Sequence, residues 1–81
     1  MALFIIEREF AEKLQLGPEA AEQIKQVNEE IGVEWLYSFL RADGKKTYCL
    51  YEAKNPEALM EHARILGIPA DVIVEVSKLT P

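Results

Sequence analysis

The chain has 81 residues, 49% of them hydrophobic and 28% charged, with a formal net charge of −5. That composition belongs to an ordered globular domain, at a size where one core only just offsets chain entropy and a partner subunit would help. Nine Lys and Arg scattered among fourteen acids leave no basic face for phosphates, which argues against nucleic-acid binding, and no apolar run nears the roughly 20 residues that cross a bilayer.

Residues 2 to 10, rich in β-branched and aromatic types and without helix caps, predict a first strand. A connection follows over Lys13 to Pro18. Pro18 suits the first turn of a helix, Glu19 and Glu22 complement the positive end of its dipole, and Gly32 stops it, so a helix is expected over 18 to 31. Ala20, Ala21, Ile24, Val27 and Ile31 supply its apolar stripe. Val33 to Ala42 and Lys45 to Ala53 read as two strands of an antiparallel hairpin, separated by the turn dipeptide Asp43-Gly44. Asn55 as N-cap, Pro56 at the first helical position and Gly67 beyond the end predict a second helix over 56 to 66. Asp71 to Leu79 reads as a last strand.

The order is β-α-β-β-α-β, the split βαβ pattern of a ferredoxin-like α+β sandwich, with both helices on one face of a four-stranded antiparallel sheet. A single domain over residues 1–81 is expected. Strict alternation sorts Phe4, Ile6, Phe10, Val33, Trp35, Tyr37, Phe39, Cys49, Tyr51, Val72, Val74 and Val76 to the helix side. It leaves Leu3, Ile5, Glu7, Glu9, Glu34, Leu36, Leu40, Tyr48, Leu50, Glu52, Ile73 and Glu75 on the open face. That second set is too apolar to remain wholly in water, which predicts a second copy packed sheet to sheet around a two-fold axis. One β-bulge would reverse part of the sorting.

The lone Cys49 cannot close an internal disulfide, and the chain opens without the basic and apolar segments of a secretory leader, so a cytoplasmic protein is expected. His62, the only histidine, follows Leu59 and precedes Ala63 and Leu66 at the spacing of one helix face. From that face it would look onto Tyr37, Cys49 and Tyr51, with Arg8 near enough to join them. Imidazole, phenol and guanidinium together suit an anionic or carbonyl-bearing small molecule, and a histidine can shuttle a proton. The plainer expectation is a core histidine satisfied by a tyrosine hydroxyl and a backbone carbonyl. Cys49 has no neighbour in sequence that would make it a nucleophile. No phosphate loop, nucleophile elbow or paired-cysteine metal motif is present, and no catalytic residue is assigned.

Several strings resemble the small bacterial domain-of-unknown-function 4242 family, some members of which are called nickel-binding proteins. They are Ile6-Glu7-Arg8, Trp35-Leu36-Tyr37-Ser38, Tyr48-Cys49-Leu50-Tyr51-Glu52-Ala53, Glu61-His62-Ala63-Arg64 and Gly67-Ile68-Pro69-Ala70. The resemblance spans almost the whole chain. It implies a ferredoxin-like domain that dimerises through its sheets, with Glu7, Arg8, Trp35, Cys49, Tyr51 and His62 at the family's recurring positions. Members commonly carry histidine where this sequence has Tyr37, so an imidazole of any nickel site is missing here.

The leading expectation is a homodimer that binds a small molecule between sheet and helices through His62, Tyr37, Tyr51, Arg8 and Cys49. A second is divalent-metal binding, with nickel held by His62 and Glu7; no other cofactor is expected. A third, by analogy of fold alone, is a cofactor-independent oxygenase or isomerase.

Overall fold

The computed structural model describes residues 1–12 and 16–80, so the expected connection from Lys13 to Pro18 lies partly outside the described residues. The elements run β1 (Ala2–Glu9), α1 (Pro18–Ile31), β2 (Glu34–Leu40), β3 (Lys46–Ala53), α2 (Pro56–Leu66) and β4 (Val72–Val76). All strand pairs are antiparallel, in the order β2-β3-β1-β4. This is the ferredoxin-like βαββαβ arrangement that the sequence predicts.

The helix boundaries follow from their end chemistry. Pro18 and Pro56 open the two helices, where a missing N–H costs no helical bond. The Asn55 side chain accepts a hydrogen bond from the Ala58 amide at 3.0 Å. Gly32 (φ 85°) and Gly67 (φ 65°) close the helices in the left-handed region, a conformation that a Cβ would strain. The hairpin connection is wider than the expected two-residue turn. It covers Arg41 to Lys45, where the Asp43 carboxylate accepts from the Lys45 amide at 2.9 Å and pairs with Arg41.

Between the sheet and the helices lies a core of Phe4, Ile6, Val33, Cys49, Tyr51, Ala53 and Leu59. Their alternation along β1 and β3 holds without interruption. Along the two edge strands it does not, and two parts of the predicted face assignment are corrected.

On β2, Trp35 pairs with Tyr51 but Tyr37 pairs with Leu50, so a bulge falls at Leu36. One extra residue inverts every side chain beyond it. Tyr37 and Phe39 therefore lie on the open face, 65% and 64% exposed, while Ser38 turns inward opposite Cys49. Leu40 pairs with Thr47 and shares its side.

On β4, Val72, Val74 and Val76 pair with Glu7, Ile5 and Leu3, which places the valines on the open face, and Ile73 beside Ile6 packs against the core. Glu75 shares the side of Ile73. The register is pinned just before the strand. The Asp71 amide donates to the Glu7 carbonyl at 3.0 Å, and its carboxylate accepts from the Glu9 amide at 2.7 Å. Two anchoring bonds at Asp71 decide a parity that β-branched residues at both alternating positions leave open.

Leu59 is sealed in the core and its neighbour Met60 is 56% exposed. In urea unfolding, Leu59→Ala should cost about 2–5 kcal/mol and Met60→Ala within about 0.5 kcal/mol. Equal losses would mean that α2 faces the sheet with another side.

Candidate functional site

Beneath α2, a chain of polar side chains crosses the core. Arg8 projects from β1 on the helix side, and only 3% of it is exposed. One terminal nitrogen of its guanidinium donates to the Pro69 carbonyl at 2.6 Å, and the other lies 2.8 Å from His62 Nε2. His62 Nδ1 lies 2.6 Å from Asn28 Oδ1, on α1. A guanidinium can only donate, so Nε2 accepts and the ring proton resides on Nδ1, which donates to the asparagine oxygen. Both nitrogens of the histidine are thereby satisfied. The Asn28 amide nitrogen is sealed without a partner among the described residues.

These contacts set the protonation of the cluster. Burial, and then the neighbouring Arg8 charge, lower the His62 pKa to about 4, so the ring is neutral at pH 7. Burial pushes the Tyr51 phenol up, against the opposing pull of Asn28 and Arg8 beside it. The Tyr51 ring packs on His62 with centroids 5.0 Å apart. It also stacks with Trp35, its neighbour on β2, at 6.4 Å, with the two planes within 5°.

Beside this cluster a cleft of about 100 Å³ opens between the sheet and α1. Phe10, Leu16, Ile24, Trp35 and Ile68 supply apolar walls, and Arg8, Ser38, Thr47, Cys49 and Tyr51 supply the polar edge. The inward turn of Ser38 at the bulge builds part of that edge. The Trp35 indole N–H donates to Ser38 Oγ at 2.7 Å, and Ser38 donates to Cys49 Sγ at 3.0 Å. The thiol in turn lies 3.7 Å from Thr47 Oγ1. Cys49 is a buried, unpaired thiol within this relay.

The residues singled out from sequence divide into three groups. Arg8, Tyr51 and Cys49 line one cleft. His62 stands behind it, holding Arg8 and packing on Tyr51 rather than contributing to the walls. Tyr37 is on the far side of the sheet, carried there by the bulge at Leu36, and cannot meet His62. Glu7 is also on the far side, where Lys46 Nζ pairs with it at 2.7 Å. The sheet thus separates Glu7 from His62, and no group of three or more His, Cys, Asp or Glu side chains within metal-binding reach occurs among the described residues.

The expected partners of His62, a tyrosine hydroxyl and a carbonyl, are replaced by Arg8 and Asn28. Asn28 escaped the sequence reading, although it is buried and lies four residues after Ile24 and three before Ile31, on the inward stripe of α1. A polar residue inside an apolar stripe was the available signal. Trp35, Ser38 and Thr47 were likewise not assigned to a binding surface.

Because His62 is neutral in the fold and ordinary in the unfolded chain, the unfolded state binds more protons between about pH 4 and 6.5. Its contribution is complete above pH 6.5 and fades as pH falls toward the folded pKa, by about 3 kcal/mol in all. Denaturation between pH 7 and 4 should therefore show a steeper loss of stability for the native chain than for His62→Gln. Parallel curves would mean that the imidazole is not held neutral.

A solved structure from Streptomyces coelicolor A3(2), reported as a crystal structure analysis of SCO4226, superposes on this fold with a TM-score of 0.76. The alignment covers 98% of this chain and 100% of that one at 20% sequence identity, a likeness of fold. No curated protein matches the chain. The family described as nickel responsive protein SCO4226-like matches residues 4–76. Those residues hold both helices and all four strands except Ala2 and Leu3 at the start of β1, and the chain belongs to that family.

Proposed function

We propose that the chain is a small cytoplasmic homodimer that binds a small, largely apolar molecule in the cleft between its sheet and α1. The observation that carries this reading is the cleft itself. Trp35 and Tyr51 form a stacked aromatic wall, Phe10, Leu16, Ile24 and Ile68 surround it, and a few polar groups converge at one edge. Apolar space with a small number of placed polar groups is the general form of a small-molecule site. Binding is favoured over acid–base catalysis because the one imidazole is neutral, doubly hydrogen-bonded and behind the cleft wall.

The donors at His62 do not fit nickel. Its Nε2 is engaged by a cationic guanidinium, its Nδ1 carries the proton that Asn28 accepts, and Glu7 is across the sheet. A late first-row metal wants several imidazole or thiolate ligands together. The second imidazole expected from the family resemblance is absent where Tyr37 stands.

The homodimer reading is supported by the open face. Tyr37, Phe39, Val72 and Val74 are all more than 40% exposed there, beside Leu3, Ile5, Tyr48 and Leu50. The charges on this face sit at the strand ends, where Lys46 is already paired with Glu7 and Glu34 lies beside Glu52, and a copy related by a two-fold axis would cover the apolar centre between them with its own.

Trp35, the single tryptophan, lines the cleft, so its emission reports occupancy. Titration with 1-hexanol should shift that emission saturably, and Ile24→Phe, which fills the space, should abolish the shift while leaving the circular dichroism unchanged. An unsaturable or unaltered response would refute the site. For the assembly, sedimentation equilibrium should give twice the chain mass, and the double variant Tyr37→Lys, Val74→Lys should give one chain mass. A native chain that sediments as a monomer excludes the dimer.

A further inference from the structure

We infer that the molecule taken up by the cleft is a small monocarboxylate, its carboxylate received by Arg8 and its hydrocarbon part lying against Trp35 and Tyr51. This rests on the small-molecule reading above and adds the chemistry of the head group.

The ground for it is an imbalance of charge at Arg8. The chain has fourteen acids and nine Lys and Arg, yet the ion pairs among the described residues are Arg41–Asp43, Lys46–Glu7 and Arg64–Glu61, none of which involves Arg8. Arg8 is 97% buried, and the groups beside its guanidinium, the Pro69 carbonyl, His62 and the Tyr51 phenol, bring no negative charge. The side chains between Glu12 and Leu16 are Lys, Leu and Gln, so that segment brings no carboxylate either. A guanidinium stays charged at any pH the fold survives, and a buried charge is costly unless an opposite charge meets it.

The geometry leaves room for that counter-charge. Of the five N–H groups on a guanidinium, one at each terminal nitrogen is used by Pro69 and His62. Nε–H has no acceptor among the described residues. It is not a sealed orphan either, since the Asn28 amide nitrogen is the one such atom among them. Arg8 is among the residues that line the cleft, so a ligand lying there sits against it. Two parallel N–H groups of a guanidinium match the two oxygens of a carboxylate.

His62 and Asn28 keep this receptor aimed. The neutral imidazole accepts from Arg8 without cancelling its charge, which an aspartate or glutamate in its place would do. The size of the space then limits the ligand. A cleft of about 100 Å³ is smaller than the roughly 150 Å³ apolar cavity that holds benzene, so the hydrocarbon part has about four to six carbons.

The test compares hexanoate with 1-hexanol at pH 7 by Trp35 emission, in the native chain and in Arg8→Gln. Hexanoate should bind on the order of tenfold or more tightly than 1-hexanol in the native chain. The preference should vanish in Arg8→Gln while 1-hexanol binding persists. Equal affinities in the native chain overturn the carboxylate inference and leave the small-molecule reading standing; no saturable response to either probe overturns both. Should Arg8→Gln fail to fold, the ¹⁵N shift of Arg8 Nε–H in the native chain decides. It should move with hexanoate and not with 1-hexanol, and an unmoved resonance overturns the inference.

Discussion

A guanidinium buried in so small a domain, with no carboxylate paired to it among the described residues, imposes conditions on everything around it. Desolvating such a charge costs several kcal/mol unless its donors are met, so the groups it touches must accept hydrogen bonds and must not be positive. The Pro69 carbonyl meets the first condition from the loop that follows α2. His62 meets both, and only as the neutral ring with its proton on Nδ1. That proton then requires an acceptor on the opposite helix, which Asn28 supplies. One cation on β1 thus sets the tautomer of a histidine on α2 and the inward polar residue of α1, linking the sheet to both helices through a single line of hydrogen bonds.

This linkage lies beside the cleft, which Arg8 helps to line. The core proper is the layer of Phe4, Ile6, Val33, Cys49, Tyr51, Ala53 and Leu59, and toward the C-terminal end of β1 it gives way to the cleft. Tyr51 joins the two regions, its ring in contact with both Trp35 and His62. Its phenol, neutral at pH 7 like any tyrosine, is pushed further from ionisation by burial. The cleft therefore has aromatic walls and a cationic edge with no competing ionised group from the cluster behind it.

The bulge at Leu36 shapes both faces of the sheet at once. By adding one residue to an edge strand, it sends Tyr37 and Phe39 outward and brings Ser38 in beside Cys49. The inner consequence is a hydroxyl that anchors the Trp35 indole at the cleft wall. The outer consequence is a more aromatic open face, which the three valines of β4 extend to the opposite edge. No helix among the described residues is long and apolar enough to cross a membrane.

The features decided by local chemistry were legible in the sequence. Pro18 and Gly32, then Asn55, Pro56 and Gly67, bound the two helices because end caps depend on single residues acting on their own backbone. The unbroken alternation of β1 and β3 gave the inward places of Arg8, Cys49 and Tyr51, because a central strand is held from both sides and its parity cannot drift. His62 on the inner stripe of α2 was visible because its spacing from Leu59, Ala63 and Leu66 marks one helix face. What only the tertiary structure decided lies where a residue depends on a distant partner: the extra residue at Leu36, the register that Asp71 imposes on β4 through Glu7 and Glu9, and the meeting of Arg8, His62 and Asn28. A bulge inverts parity without changing composition, and a hydrogen bond between β1 and α2 leaves no trace in the spacing of either. Sequence alone therefore showed which side of the helix carried the odd histidine, and the packing of three separate elements decided that it serves a buried cation.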